Sequence, residues 1–208
     1  MEAITAYILA GGKSSRLETN KALLEIEGRK VIDIIFAKLK LITSNIIIST
    51  NQPQDFDFIP VDKIKDIHKD IGPLGGIHSC LTHSETEKNF VISCDLPLMS
   101  ERFMRSILEA ENHNKILLPT NEGKIEFMCG LYLKSTLQVI ESILETRSET
   151  EGKNKRFSMW NYVHKAEFEL LEASQAPSFS EEIFSNLNTI EDYEKIKSLV
   201  HLNKALIE

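Results

Sequence analysis

Three basic residues crowd one short stretch of an otherwise acidic chain. The segment Leu9-Ala10-Gly11-Gly12-Lys13-Ser14-Ser15-Arg16-Leu17 leaves an apolar run at Ala3 to Leu9, and Lys21 follows it. Glycines directly after a buried strand let backbone N–H groups come close to a ligand and cradle phosphates. Lys13, Arg16 and Lys21 supply the local positive field that a triphosphate needs. The competing reading is a plain turn with solvated cations, and two glycines alone would favour it. Ser14, Ser15 and three cations right after a strand tip the balance toward phosphate binding. The spacing is neither the P-loop GxxxxGK[ST] nor the dinucleotide GxGxxG.

A second candidate is Asp95, which ends the apolar run Phe90 to Ser93 and precedes Leu96-Pro97. A carboxylate there offers hard oxygen to Mg²⁺, an ion that uses one or two carboxylates plus substrate phosphates. An aspartate before a proline turn serves equally well as a cap. Asp66, with the Gly72-Pro73-Leu74-Gly75-Gly76 turn, could let backbone approach a flat base or ribose, although a tight strand-to-helix connection is the simpler reading. Asn186-Leu187-Asn188-Thr189 precedes the last helix, where Asn188 or Thr189 suits an N-cap. The six histidines form no HExxH and no ligand-like pair, and none accompanies a GxSxG serine.

These residues need a frame that brings them to one edge. Ala3–Leu9, Asn45–Thr50 and Asn89–Ser93 are apolar, β-branched runs without clean alternation, as expected of strands buried on both faces. A weaker strand is predicted around Phe58–Lys65. Helical spacing marks Val31–Leu41, a short helix running to Leu81, Ser100–Ala110, Ser135–Thr146 and Ile190–Val200. Strands are predicted at Lys115–Pro119, Phe127–Leu133 and Ala166–Leu171, a helical turn at Phe157–Val163, and a polar loop at Arg147–Arg156. Alternation of this kind implies a three-layer α/β fold with a mostly parallel twisted sheet and helices on both faces. Its ligands sit beyond the carboxyl ends of the strands. No linker divides the 208 residues, so one domain over 1–208 is expected. The net charge of −7 argues against nucleic acid as partner. No apolar stretch nears the ~18 residues of a membrane span, and the start lacks a signal-peptide pattern. Cys80, Cys94 and Cys129 form no CxxC, consistent with reduced thiols and a cytoplasmic location.

Taken together, LAGGKSSRLETNKALLEIEGRKVID, DIHKDIGPLGGI, SCDLPLM and NLNTIEDYEKI resemble, in the same order, the molybdenum cofactor guanylyltransferase family of nucleotidyltransferases. Its opening signature reads LAGGxSxRMGxDK. The resemblance implies that Leu9, Ala10, Gly11 and Gly12 contact GTP, and that Lys21 binds its phosphates. It further implies that Asp66 helps hold the nucleotide and that Asp95 touches both nucleotide and Mg²⁺. Arg16 matches the signature arginine and would neutralise phosphate charge, so Arg16, Lys21 and Asp95 form the implied catalytic set. Glu18 stands where the signature has glycine, and Asn20 where it has aspartate. Ser49-Thr50-Asn51 stands where the family has an Asn-x-Asn strand end, a departure under which the resemblance implies no more than Asn51 as a nucleotide contact.

The implied reaction joins GMP from GTP to the terminal phosphate of molybdopterin, releasing pyrophosphate. A phosphate monoester is mostly dianionic at neutral pH, with a second pKa of about 6, and needs no general base to attack. The expected partners are GTP, the molybdenum cofactor, and cofactor-biosynthesis proteins or recipient molybdoenzymes. No nucleic acid or membrane is expected, and the expected state is a monomer. A cytidylyl- or uridylyltransferase of the same fold is the nearest alternative. A non-catalytic nucleotide-binding module and a doubly wound protein that binds no nucleotide stand further off.

Overall fold

A computed structural model describes residues 3–11, 20–148 and 157–208. In chain order the strands are β1 (Ile4–Leu9), β2 (Glu25–Ile26), β3 (Arg29–Lys30), β4 (Ile46–Ser49), β5 (Asp62–Ile64), β6 (Lys88–Ser93), β7 (Ile116–Asn121), β8 (Lys124–Ile125), β9 (Cys129–Leu133) and β10 (Phe168–Glu172). The helices are α1 (Val31–Lys40), α2 (Pro73–His83), α3 (Glu101–Glu109), α4 (Leu137–Ser148), α5 (Met159–Ala166) and α6 (Ile190–Leu202). One sheet runs β10-β7-β9-β6-β1-β4-β5, with β8 paired to β7, and β2 and β3 form a separate hairpin. β1, β4, β5 and β6 are mutually parallel, as are β7 and β10, whereas β9 runs antiparallel to both β6 and β7.

Side-chain alternation along β1 divides the core between the two faces of the sheet. Ala6 and Ile8 pack with Ile34 and Ile35 of α1, Phe103 of α3 and Ile196 of α6. Tyr7 and Leu9 pack with Leu74 and Ile77 of α2, Ile140 of α4 and Tyr162 of α5. Both faces are therefore covered, which is why β1 and β6 read as continuous apolar runs.

The expected strands and long helices are present, with differences at their edges. The strand expected around Phe58–Lys65 shortens to β5, because the chain turns before it: the Ile59 N–H bonds the Phe56 carbonyl and the Val61 N–H the Ile59 carbonyl. The helical turn expected at Phe157–Val163 is the full helix α5, begun by Ser158, whose hydroxyl accepts from the Asn161 N–H. The loop expected from Arg147 lies largely outside the described residues. The short pair β7–β8 was hidden by the polar run Asn121-Glu122-Gly123-Lys124, which forms its turn.

The Gly72–Gly76 segment is not a free-standing turn. Helix α2 begins inside it, with Pro73 at its first position, where a missing N–H costs nothing. Gly72 takes φ 75°, ψ −157°, a conformation that glycine alone adopts without strain. Gly75 is small for a packing reason. A Cβ there would lie 2.8 Å from the His68 carbonyl oxygen and 2.8 Å from Ile71 Cγ1. Gly75→Ala is expected to lose about 1–3 kcal/mol by urea denaturation; an unchanged midpoint would show that the loop can yield.

Candidate active site

Four parallel strands end at one level. Leu9 lies opposite both Ser49 and Ser93. Past the strands the ladder continues: the Ala10 N–H donates to the Ser49 carbonyl (2.9 Å), the Cys94 N–H to the Leu9 carbonyl (3.1 Å) and the Thr50 N–H to the Ile64 carbonyl (2.8 Å). Gly11, Asn51, Asp66 and Asp95 each follow the last residue of β1, β4, β5 and β6 by two positions. The chain leaves β1 toward β4 on one side and returns as β6 on the other, so this rim is the switch point of the sheet.

The side chains of Leu9 and Ala10 are buried. Leu9 packs in the core and lies 3.5 Å from where a Gly76 Cβ would be. Only main-chain groups of this strand end can face a ligand, and the Ala10 N–H is already engaged. Gly11 is exposed. Gly12 and Arg16 lie outside the described residues, as do Lys13 and Glu18.

Asn51 and Asp66 hold each other. The Asn51 amide donates to Asp66 Oδ2 at 2.8 Å, and the Asp66 N–H donates to Asn51 Oδ1 at 3.2 Å. The Ile67 N–H donates to Ser79 Oγ at 2.8 Å, which ties this loop to α2.

Lys21 opens a short 3-10 turn, Lys21–Leu23. Asn20 caps that turn by accepting from the Ala22 N–H at 3.2 Å, and its amide reaches Asp55 Oδ2 at 3.4 Å. The aspartate expected at this position would cap the same way. Lys21 Nζ donates to Asn188 Oδ1 at 2.7 Å. The preceding residue, Leu187, donates its N–H to the Asp95 carbonyl at 2.8 Å. Two adjacent residues thus bridge Lys21 to Asp95. The buried Cys94 thiol senses both: burial pushes it up to about 12, with the Asp95 charge adding and the Lys21 charge opposing.

Thr189, rather than Asn188, caps α6. Its hydroxyl accepts from the Asp192 N–H at 3.1 Å, and Asp192 Oδ2 accepts from the N–H groups of Asn188 (3.0 Å) and Thr189 (2.8 Å). Desolvation raises the Asp192 carboxyl, but these N–H bonds, together with the Thr189 side chain and the Lys195 charge, leave the group below its ordinary value. Because Asp192 and Thr189 complete the cap, the Asn188 side chain remains available to Lys21.

Asp95 Oδ1 is buried and has no hydrogen-bond partner among the described residues. An unpartnered carboxylate oxygen is costly unless something pairs with it, and a hard cation fits. No group of three or more His, Cys, Asp or Glu among the described residues could hold a metal ion. Asp95 Oδ1 is the kind of hard-oxygen donor that an ion shared between one carboxylate and substrate phosphates would use.

Glu126 was missed in the sequence, where nothing separates it from other surface glutamates. It follows β8, its Oε1 accepts from the Met128 N–H at 2.9 Å, and it interacts with Asp95 and with the Asn186 side chain. Burial raises its carboxyl above the ordinary 4.5, Asp95 adds to the rise, and the Met128 and Asn186 bonds oppose it.

Residues 6–160 match the MobA-like NTP transferase domain. A Clostridium perfringens protein named "Probable molybdenum cofactor guanylyltransferase" is 34% identical over 194 residues, covering 92% of this chain and 95% of its own. One from Carboxydothermus hydrogenoformans with the same name is 32% identical over 206 residues, 98% of this chain and all of its own length. The chain belongs to the MobA-like NTP transferase family. Solved structures agree on the fold. Molybdopterin-guanine dinucleotide biosynthesis protein A from Archaeoglobus fulgidus superposes with a TM-score of 0.78 at 19% identity, covering 95% of this chain and 99% of that one.

The Glu126 shift gives a pH test. Between 4.5 and its raised folded value the native state holds more protons than the unfolded chain, so Glu126 subtracts stability as pH rises through that window. Glu126→Gln keeps a carbonyl for the Met128 N–H and removes the charge. Its stability relative to the wild type should rise progressively as the pH is raised above the ordinary carboxylate value of 4.5. Urea midpoints that track in parallel across this range would contradict the assignment.

Proposed function

We propose that the protein transfers GMP from GTP to the terminal phosphate of molybdopterin, giving a guanine dinucleotide cofactor and pyrophosphate. One observation carries the reading: the cation of Lys21 is tied to the Asp95 main chain through Asn188 and Leu187, and Asp95 Oδ1 has no hydrogen-bond partner among the described residues. Family membership and relatives named for guanylyl transfer to the molybdenum cofactor support the choice of substrates.

In this reading the main chain of Leu9, Ala10, Gly11 and Gly12 lines the triphosphate. Lys21 and Arg16 neutralise it and hold the departing pyrophosphate. Asp66, steadied by Asn51, contacts the nucleoside. Asp95 would hold Mg²⁺, which when bound polarises the α-phosphate. The acceptor phosphate is already a dianion, so the protein aligns it rather than deprotonating it. The site needs charge neutralisation at the leaving group, and preformed donors provide that without reorganisation. No helix among the described residues is long and apolar enough to cross a membrane, and the proposed setting is the cytoplasm. Cofactor-biosynthesis proteins or recipient molybdoenzymes would take the product.

Pyrophosphate release, measured with each nucleoside triphosphate and with or without molybdopterin, tests the substrates. GTP with molybdopterin should give turnover, and faster turnover with CTP or UTP would replace the guanylyl assignment. Asp95→Asn should lower Mg²⁺-dependent kcat by about 100-fold or more while circular dichroism stays unchanged. Wild-type turnover in that variant would remove Asp95 from the reaction. Lys21→Ala should weaken GTP binding about 10- to 100-fold by calorimetry; an unaltered titration would reject its phosphate role.

A further inference from the structure

Lys38 lies on α1 and is only 3% exposed. Its ammonium donates to the Pro97 carbonyl at 3.2 Å and to the Leu206 carbonyl at 2.8 Å. No carboxylate among the described residues pairs with it. Burial, with the Arg29 charge adding, draws the ammonium down to about 8. A buried cation with only carbonyl partners is a poor way to gain stability, because an apolar side chain avoids the desolvation cost.

The two carbonyls it joins are informative. Pro97 is two residues beyond Asp95, within the turn in which the Leu96 N–H bonds the Ser93 carbonyl and the Met99 N–H bonds the Leu96 carbonyl. Leu206 lies in the C-terminal 3-10 turn Lys204–Ile207. The next carbonyl, that of Ile207, accepts from Arg29 at 2.7 Å. Lys204 meets Glu27 of the β2–β3 turn at 3.2 Å, and the Tyr193 hydroxyl donates to the Glu25 carbonyl at 2.6 Å. The tail is thus strapped to the hairpin and to α1, and Lys38 carries the strap through to the Asp95 turn.

We infer that Lys38 is a positioning residue for Asp95, fixing the Asp95-Leu96-Pro97 turn and making the C-terminal tail part of the site's scaffold. This rests on the role proposed for Asp95, but the turn can be read without any nucleotide. Hydrogen exchange and steady-state kinetics on the full chain provide the test, with Lys38→Met as the main variant. Exchange across residues 94–99 and 203–207 should accelerate about tenfold or more, while β1 and β4 keep their protection. The kcat should fall about tenfold with the GTP Kd within about twofold. Lys38→Arg, which can still reach two carbonyls, should recover most of the protection. A chain ending at Asn203 removes the Leu206 acceptor and decides the matter if Lys38→Met does not fold. It should loosen 94–99 by about threefold or more and lower kcat with it.

Uniform acceleration over all strands would mean general destabilisation and would overturn the inference. So would unchanged 94–99 exchange, or loosened exchange with wild-type kcat. A wild-type protein inert with every nucleoside triphosphate would instead refute the proposed reaction, while the exchange data would still decide whether Lys38 holds the turn.

Discussion

Lys21 is held by a neutral amide. Asn188 Oδ1 accepts from its ammonium at 2.7 Å, which fixes the side chain without cancelling its charge. A carboxylate in that place would orient the lysine as well, but would compete with phosphate for the same cation. The nearby carboxylate, Asp192, is kept from this role by two backbone N–H groups and the α6 cap. The complementary condition holds at Asp95, which retains a buried oxygen that no described residue satisfies. In the proposed reaction, a metal–phosphate group would pair with this positive charge and with the Asp95 oxygen, which two adjacent residues tie together.

The sheet makes this arrangement possible. Parallel strands deliver their carboxyl ends to one side, and the shared register of Leu9 with Ser49 and Ser93 brings three strand ends level. Because β1 is buried on both faces, Leu9 and Ala10 can contribute only backbone to the rim. Selectivity at that end must then come from glycine-permitted approach and from side chains on the loops. The antiparallel β9 inserts between β6 and β7 and brings Met128 beside Ser93, whose N–H it accepts at 2.7 Å. Glu126 reaches the neighbourhood of Asp95 by this route alone.

What the sequence disclosed follows from this division. The buried strands and amphipathic helices were legible because periodicity and burial are written in residue type. The placement of Asp66 and Asp95 was legible because each follows a strand end, where position alone predicts a rim. The contacts from the C-terminal third were not. Leu187 and Asn188 meet residues 92 and 167 positions away through tertiary packing, and Asn188 read as well as a simple cap. Glu126 and Lys38 show no local pattern, since their burial depends on which elements close over them. The Gly72–Gly76 segment was read as a turn because glycines usually mark one. Pro73 at a helix start, and the close approach of His68 to Gly75, make it a helix instead.

The two departures from the family signature bear on whether the loop can still serve a triphosphate. Glu18 in place of glycine adds a negative charge, and Asn20 in place of aspartate removes one. The formal charge of the loop is therefore that of the signature. Asn20 also keeps the structural duty of the residue it replaces, since its side-chain oxygen accepts the Ala22 N–H. What it gains is an amide donor, turned toward Asp55. A change that preserves the cap beside Lys21 and lowers the negative charge next to it favours phosphate binding. The substitutions thus redistribute charge along the loop, and they give no physical ground for reading the chain as a site that has lost its chemistry.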